Sequence, residues 1–480
     1  MPWKIQQTSE DEIQFRIPLR FHLPTDMGEP IPTHVFTSIY FDTKQHRLGQ
    51  LGLILRKRVE GSHAVWQLKI PSGAVRLELE IDSRSRTIPS EFQDLLLGFF
   101  RKHAAVQFGK LQTKRTGIRI QKDNQGNAEI LQDSVALLRD KKVIHTFHEL
   151  EVKFPKGAAT HLKPIRKILN HAGAQEKSFQ PKIFQALQLP YPVLLECNDP
   201  AASPTEHIRK RLHAQYFQML RHDPSTRLGR DSEALHQMRV TTRRIRAILR
   251  TVRPFLEPEW VKHIRKELGW IGSLLGENRD YDVLLEYFRQ NFNESSSGEQ
   301  RAFQSILNTF EGRRAIVRAG LLEGLCSDRY LNLLNDLEDS LTHLPFQPSS
   351  FTIVDLAKRA FHKLQAFVNS SDGHFPKPEL HRTRILLKRA RYALELAEPL
   401  LGQRATRFIQ EAKHAQDLLG QHQDAVVAEQ QLLSLKQHSR RTGIAYVTGL
   451  MVERVRNQQV QVYQQIPEQW KKLKKRGKRL

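Results

Sequence analysis

Two stretches of this chain, 145 residues apart, place a histidine and three cations at matched spacing. In HQMRVTTRRIRAILR, His236 is followed at offsets 3, 7 and 10 by Arg239, Arg243 and Arg246. In HRTRILLKRARYALE, His381 is followed at the same offsets by Arg384, Lys388 and Arg391. A guanidinium is a planar fork that matches phosphate oxygens, and an ammonium is a mobile point charge. An imidazole in line with them donates to phosphate best when protonated. Such a row suits a ligand that presents closely spaced negative oxygens. Like charges at i,i+3 and i,i+4 repel, so a row without acidic partners calls for a counter-anion. Arg244 and Arg389 are basic but lie off the main stripe.

A second set of charges lies earlier and alternates at period two. LILRKR places Arg56 and Arg58 on one strand face, VRLELE does so with Arg76, Glu78 and Glu80, and HELEVK with Glu149, Glu151 and Lys153. EIQFR adds Glu12, Gln14 and Arg16, and WQLK adds Lys69. On any single strand this pattern reads as an outward polar face. Repeated over several strands, it describes the polar lumen of a closed barrel, with cations for phosphates and carboxylates for a divalent metal.

These residues need two kinds of scaffold. Residues 1–190 read as mostly β: eight short alternating runs, from EIQFRIPL to FHELEVKF, are separated by turn chemistry such as EGS, PSG and DNQGN. Helices are expected near Ser90–His103 and Ala158–Ala172. A linker, 191–204, follows. Residues 205–465 carry long 3.6-period segments and read as all-α. At about 100° per residue the His-and-cation offsets fall within an arc of about 80°. Ile245, Ile248 and Leu249 occupy the opposite, inward face. The repeat continues, since LLGENRDYD begins at Leu274 and LLGQHQDAV at Leu418, matching Gly276 with Gly420 and Asp280 with Asp424. Two related units therefore share the helical region. At offset 14 the halves differ, with Arg250 in the first and Glu395 in the second, so the second is expected to pair a cation internally. The basic segment 466–480 reads as a solvated tail or a tether to a polyanion.

Net charge is +24, from 75 Lys and Arg against 51 Asp and Glu. The first 200 residues carry 29 cations and 21 acids, and the remainder 46 and 30, so most of the excess sits in the helical region. That excess calls for a polyanionic partner: nucleic acid, an anionic membrane surface or a phosphate polymer. The 2 cysteines support neither a zinc finger nor a disulfide framework. With no signal-like opening and no long apolar run, the expected setting is the reducing cytoplasm, with no membrane span. P-loop, nucleophile-elbow and zincin motifs do not occur. The basic stripes have little aromatic interleaving for base stacking.

The segments ALHQMRVTTRRIRAILRTVRPFLE, LLGENRDYDVLL, LHRTRILLKRARYALELAEPLLG and AQDLLGQHQDAV closely resemble the CHAD family, the conserved histidine α-helical domain. The resemblance implies two pseudo-symmetric four-helix units that bind inorganic polyphosphate in a basic cavity without a cofactor, and an association with polyphosphate granules. Its carried-over residues are His236, Arg239, Arg243, Arg246, His381, Arg384, Lys388 and Arg391, with Asp280 and Asp424 orienting cations or capping helices. Over 1–190, SIYFDT, GLILRKR, WQLKI, RLELE and HELEVKFPKG resemble the CYTH family of triphosphate tunnel proteins. This implies an antiparallel eight-stranded tunnel. Arg16, Arg56, Arg58, Lys69, Arg76 and Arg115 would face a triphosphate, and Glu12, Glu78, Glu80, Glu149 and Glu151 would hold Mg²⁺ or Mn²⁺. The family's opening Glu-x-Glu-x-Lys stands here as Glu12-x-Gln14-x-Arg16, and Gln14 cannot supply a negative metal ligand. The leading expectation is a polyphosphate-binding protein with a divergent triphosphate tunnel. The alternatives are metal-dependent hydrolysis of tripolyphosphate in the tunnel and nonspecific binding of nucleic acid.

Overall fold

The computed structural model describes residues 4–8, 10–24, 27–72, 75–120, 128–155, 162–189, 203–291, 297–370, 377–438 and 442–478. The chain forms two compact units. The first comprises Met1–Leu194 with Asp223–Leu228, and the second Leu195–His222 with Gly229–Leu480.

The first unit is one antiparallel sheet. Its strands are β1 (Lys4–Thr8), β2 (Glu10–Arg16), β3 (Glu29–Asp42), β4 (Ile54–Glu60), β5 (His63–Ser72), β6 (Val75–Asp82), β7 (Val106–Ile120), β8 (Ala128–Arg139), β9 (Lys142–Pro155) and β10 (Gln175–Lys177). Their order is β1-β6-β5-β4-β3-β7-β8-β9-β2-β10. β1 and β2 are separated by one residue, yet β1 pairs with β6 and β2 with β9. This stretch therefore joins the two ends of the sheet and closes it into a tunnel. Counted as one course, it and β3–β9 make the expected eight strands, and β10 adds a short strand beside β2.

Alternation decides what faces where. Phe15, Ile118, Ile130, Leu150 and Val152 point outward and are buried with Leu169 of α4 (Leu162–His171). Among the described residues five short helices belong to this unit: α1 (Arg47–Gln50), α2 (Ser90–Leu95), α3 (Leu97–Phe100), α4, and α5 (Lys182–Ala186). The expected helices near 90–103 and 158–172 correspond to α2 with α3 and to α4. No periodic signal marks α1 and α5, which are four and five residues long. In α5, Ile183, Phe184 and Ala186 pack against Tyr40, Leu111, Val135 and Leu137, which face inward. Glycine makes that approach possible: a Cβ on Gly109 would lie 2.3 Å from Ile183, and one on Gly49 would overlap the ring of Phe184. One end of the tunnel is thus filled by apolar side chains.

The second unit is helical: α6 (Pro204–Leu228), of which residues 223–228 count with the first unit, α7 (Ser232–Thr251), α8 (Pro258–Asn291), α9 (Ser297–Cys326), α10 (Asp328–Thr342), α11 (Ile353–Asn369), α12 (Lys377–Leu401), α13 (Gln403–His438) and α14 (Thr442–Gly477). α7 to α9 pack in succession, as do α11 to α14, and α7 also meets α12. The two repeats are therefore α6–α9 and α11–α14, with α10 between them. Asp231 caps α7, its carboxylate accepting from the Glu233 N–H at 2.8 Å. Ile245, Ile248 and Leu249 are buried, as the periodicity predicts. α14 differs from expectation: it runs to Gly477, with Trp470 and Leu473 buried, so most of the basic segment 466–480 is amphipathic helix rather than a separate tail. Among the described residues no helix is long and apolar enough to cross a membrane.

Candidate functional site: a charge-balanced tunnel and an unbalanced helical cluster

The tunnel encloses a cavity of about 280 Å³ whose wall includes Glu12, Gln14, Arg56, Arg58, Lys69, Glu78, Glu80, Arg115, Glu151, Lys153 and Lys182. Register explains the grouping. Tyr40, Arg56, Gln67 and Glu80 are successive cross-strand neighbours over β3 to β6. Arg56 donates from Nε to Gln67 Oε1 at 2.8 Å, and Gln67 donates in turn to Glu80. Lys69 and Glu78 face each other and pair at 3.1 Å. Burial holds the Lys69 ammonium below its ordinary range, against the pull of Glu78. Arg58 pairs with Glu60 at 2.7 Å and lies over the Phe36 ring.

Three acids form the deepest part. Asp133 and Glu149 are direct cross-strand neighbours, and Glu151 follows on the same face. All three are buried, with ligand oxygens within 4.8 Å of one another. Adjacent like charges are unfavourable unless compensated, and here each acid faces a cation, although Glu149 Oε1 accepts no hydrogen bond. Arg115 donates Nε to Asp133 Oδ1 at 2.8 Å and an NH2 to Asp133 Oδ2 at 2.7 Å and Glu151 Oε2 at 3.1 Å. Lys177 meets Glu149 Oε2 at 2.8 Å. Lys182 contacts Asp133 at 3.1 Å, Glu149 at 2.5 Å, and Glu151. Burial alone would raise Glu151, but Lys182 and Arg115 hold it well below the usual carboxylate range. The donor set has the hard-oxygen chemistry of an Mg²⁺ or Mn²⁺ site. However, every oxygen in it already faces a protein cation, so the residues as arranged do not fit a resident metal.

The structure brings most expected tunnel residues together, with two exceptions. Arg16 lies opposite Glu149 in register but is exposed and is not on the cavity wall, because Glu149 takes its cations from Lys177 and Lys182. The side chain of Arg76 lies outside the described residues. The sequence reading missed Asp133, Lys177 and Lys182. Asp133 stood in the strand AEILQD, where parity could have found it. Lys182 sits in a five-residue helix with no periodic signal.

In the helical unit the balance is different. Arg239 and Arg243 of α7 share an electrostatic neighbourhood with Arg384, Lys388 and Arg391 of α12. Burial, then Arg384 and Arg243, lowers the Lys388 ammonium to about 7. Burial, then Arg239, lowers Arg243 to about 10. Such shifts mean that the cations lack sufficient negative charge nearby. Buried donor nitrogens of Arg243, Arg384 and Arg391, and Nδ1 of His236, have no hydrogen-bond partner. Burial and Arg279 lower the His236 imidazole. Fewer acids stand beside these cations: Asp280 is 3.8 Å from Arg239, Glu395 is 3.5 Å from Arg391, and Asp424 acts on Arg384. The Glu395 contact is the internal pairing expected of the second half. Asp280 and Asp424 line one cavity of about 330 Å³ between α8 and α13. Gly276 explains the repeated glycine in the first half: a Cβ there would lie 3.3 Å from Arg239 Nε, so its absence lets the guanidinium lie against α8.

Not all of the sequence-derived row belongs to this cluster. His381 is exposed, one turn before Arg384. Arg246 falls in a second group with Arg250 and Arg253 around Arg265, and Arg389 joins it through Arg250 and Arg265. Arg265 was missed because the repeat offers no guide, the residues 144 and 145 positions later being Ile409 and Gln410.

Comparison with known proteins agrees with this architecture. The CYTH domain model matches residues 11–182 and the CHAD domain model residues 210–433. The chain thus carries a CYTH domain followed by a CHAD domain. Uncharacterized protein Rv2226 of Mycobacterium tuberculosis is 26% identical over 440 residues, which cover 84% of this chain and 83% of that protein. Among solved structures, PptA from Streptomyces chartreusis is 22% identical, covering 56% of this chain and 99% of its own, with a TM-score of 0.47. The CHAD domain from the plant Ricinus communis is 23% identical, covering 56% of this chain and 92% of its own, with a TM-score of 0.46. The putative adenylyl cyclase HpAC1 from Hippeastrum is 16% identical, covering 38% of this chain and 98% of its own, with a TM-score of 0.25.

The buried network gives a stability prediction. Arg115→Met leaves Asp133 and Glu151 short of positive charge and should cost about 3–5 kcal/mol. Arg119→Met breaks only the half-exposed pair with Glu129 and should cost about 1 kcal/mol or less. Urea unfolding of the two variants, followed by Trp fluorescence, checks the difference.

Proposed function

We propose that this protein binds inorganic polyphosphate through the cations that α7 and α12 bring together. The observation that carries the reading is the half-buried pair Arg243 and Arg384, whose Nε atoms have no hydrogen-bond partner while the neighbouring Lys388 is pushed toward neutrality. A buried cation without a counter-charge is costly, and a chain of phosphates supplies one at each step along the helices. The family resemblance names the same ligand. The group around Arg265, which Arg389 joins, extends the basic surface beyond the central cluster.

The tunnel is assigned to binding short triphosphate-type anions through Arg56, Arg58, Lys69 and Lys153. Metal-dependent hydrolysis is the weaker reading, because the buried carboxylates are already neutralised by Arg115, Lys177 and Lys182.

Replacing Arg239 and Arg384 together by Ala should weaken binding of long-chain polyphosphate by roughly 10²-fold or more at low salt. It should also flatten the dependence on salt, because fewer counterions are displaced. Unchanged affinity in a filter or fluorescence assay would contradict the assignment. Binding should also take up protons. In the free protein Lys388 loses its proton as pH rises through about 7, and a bound anion restores the charged form. Affinity should therefore fall between pH 6 and 9, and calorimetry in buffers of different ionisation enthalpy should report net proton uptake near pH 8, which Lys388→Met removes.

A further inference from the structure

One side chain in the tunnel stands where an ion would otherwise be needed. Lys182 Nζ lies among Asp133 Oδ2 at 3.1 Å, Glu149 Oε1 at 2.5 Å, and Glu151 Oε1. An ammonium has three donors and no acceptor; Lys182 donates to Glu151 and meets Glu149 Oε1 as an ion pair without a hydrogen bond. The remaining oxygens are held by Arg115 and Lys177. Three carboxylates thus face three cations, and the cluster is neutral without an added ion.

The lysine is built into place from two sides. On its C-terminal side, Ile183 and Phe184 are buried in the filled end of the tunnel, over Gly109 and Gly49. On its N-terminal side, the Gln180 N–H donates to Gln14 Oε1 at 3.1 Å. Gln14 spends its amide donor on Glu12 at 3.2 Å. A glutamine can bridge Glu12 and Gln180 in this way, whereas a carboxylate has no donor for Glu12. Gln14 thus ties the Lys182 segment to the wall, as does Lys177, which donates to Gln185 of α5 at 2.5 Å.

We propose that Lys182 is a tethered cation that takes the place of a divalent metal ion among Asp133, Glu149 and Glu151, so that the tunnel holds phosphate-type anions without metal in that cluster. The anion half rests on the tunnel reading above, and the lysine half does not. A consequence follows for the chemistry of the site. The ammonium neutralises the acids but exposes no open coordination position, so it cannot bind and polarise a water as a metal would. Capture of an anion is retained while activation of a nucleophile at this cluster is given up. A divalent ion should enter only when the lysine is removed.

Mn²⁺ binding to the intact chain, read by electron paramagnetic resonance, tests the lysine half. Wild type and Glu149→Gln should bind Mn²⁺ alike. Lys182→Met should gain one ion per chain at least tenfold tighter than wild type, and Lys182→Met with Glu149→Gln should lose it. Mn²⁺ bound by wild type and lost in Glu149→Gln would overturn the proposal. That comparison decides the matter even if Lys182→Met does not fold. For the anion half, the tripolyphosphate binding that Arg56→Ala removes should be equal within about twofold in EDTA and in Mn²⁺. A strict requirement for Mn²⁺ would overturn it. No binding in either condition would sink the tunnel's anion role while leaving the Mn²⁺ result to judge Lys182.

Discussion

A charge withdrawn from water must find an opposite charge, and the two halves of this chain meet that constraint in opposite ways. In the tunnel the match is internal. Asp133 and Glu149 are forced side by side by strand register, and Arg115, Lys177 and Lys182 close the account around them. In the helical unit the match is incomplete. Arg239, Arg243, Arg384, Lys388 and Arg391 crowd together beside fewer acids, Asp280, Glu395 and Asp424. The first arrangement favours a fixed geometry and the second an external anion.

The contrast follows from the scaffolds. A closed sheet brings distant strands into one lumen, so acids and bases from β2, β7, β8 and β9 meet across it. A helix repeats its own face, so a basic stripe on α7 meets only what another helix brings. Here α12 brings a second basic stripe. Packing the two against each other would be unfavourable in isolation, and it is tolerated because Ile245, Ile248 and Leu249 on the far side of α7 are buried in the core. Apolar burial on one face supports electrostatic stress on the other.

Much of this was readable from periodicity. Parity along the strands placed Arg56, Arg58, Lys69, Glu78, Glu80, Glu149 and Glu151 on inward faces, and Arg56, Arg58, Lys69, Glu78, Glu80 and Glu151 do line the cavity. Phase along the helices placed Arg239 with Arg243 and Arg384 with Lys388. What failed depends on closure and on local chain path. Lys182 reaches the acids only because α5 turns into the end of the tunnel, an event with no pattern in KIFQA. Arg16 keeps the right parity, but at the last residue of β2 it is exposed to solvent. Arg265 has no counterpart in the second repeat, so a reading built on duplication passes over it. The difference at offset 14 announced unequal halves, and the histidines add to it. His236 is half-buried and His381 exposed, and Arg250 joins a basic group where Glu395 quenches one.

The central claim is that the uncompensated helical cations select a flexible chain of phosphates rather than any polyanion. Competition between long-chain polyphosphate and single-stranded RNA, at equal phosphate concentration on the intact chain, tests it most directly. Polyphosphate carries a charge at each phosphate without bases to accommodate between the helices, so it should displace RNA with roughly tenfold or greater preference. Equal competition by RNA would show that net charge alone drives binding and would contradict the account.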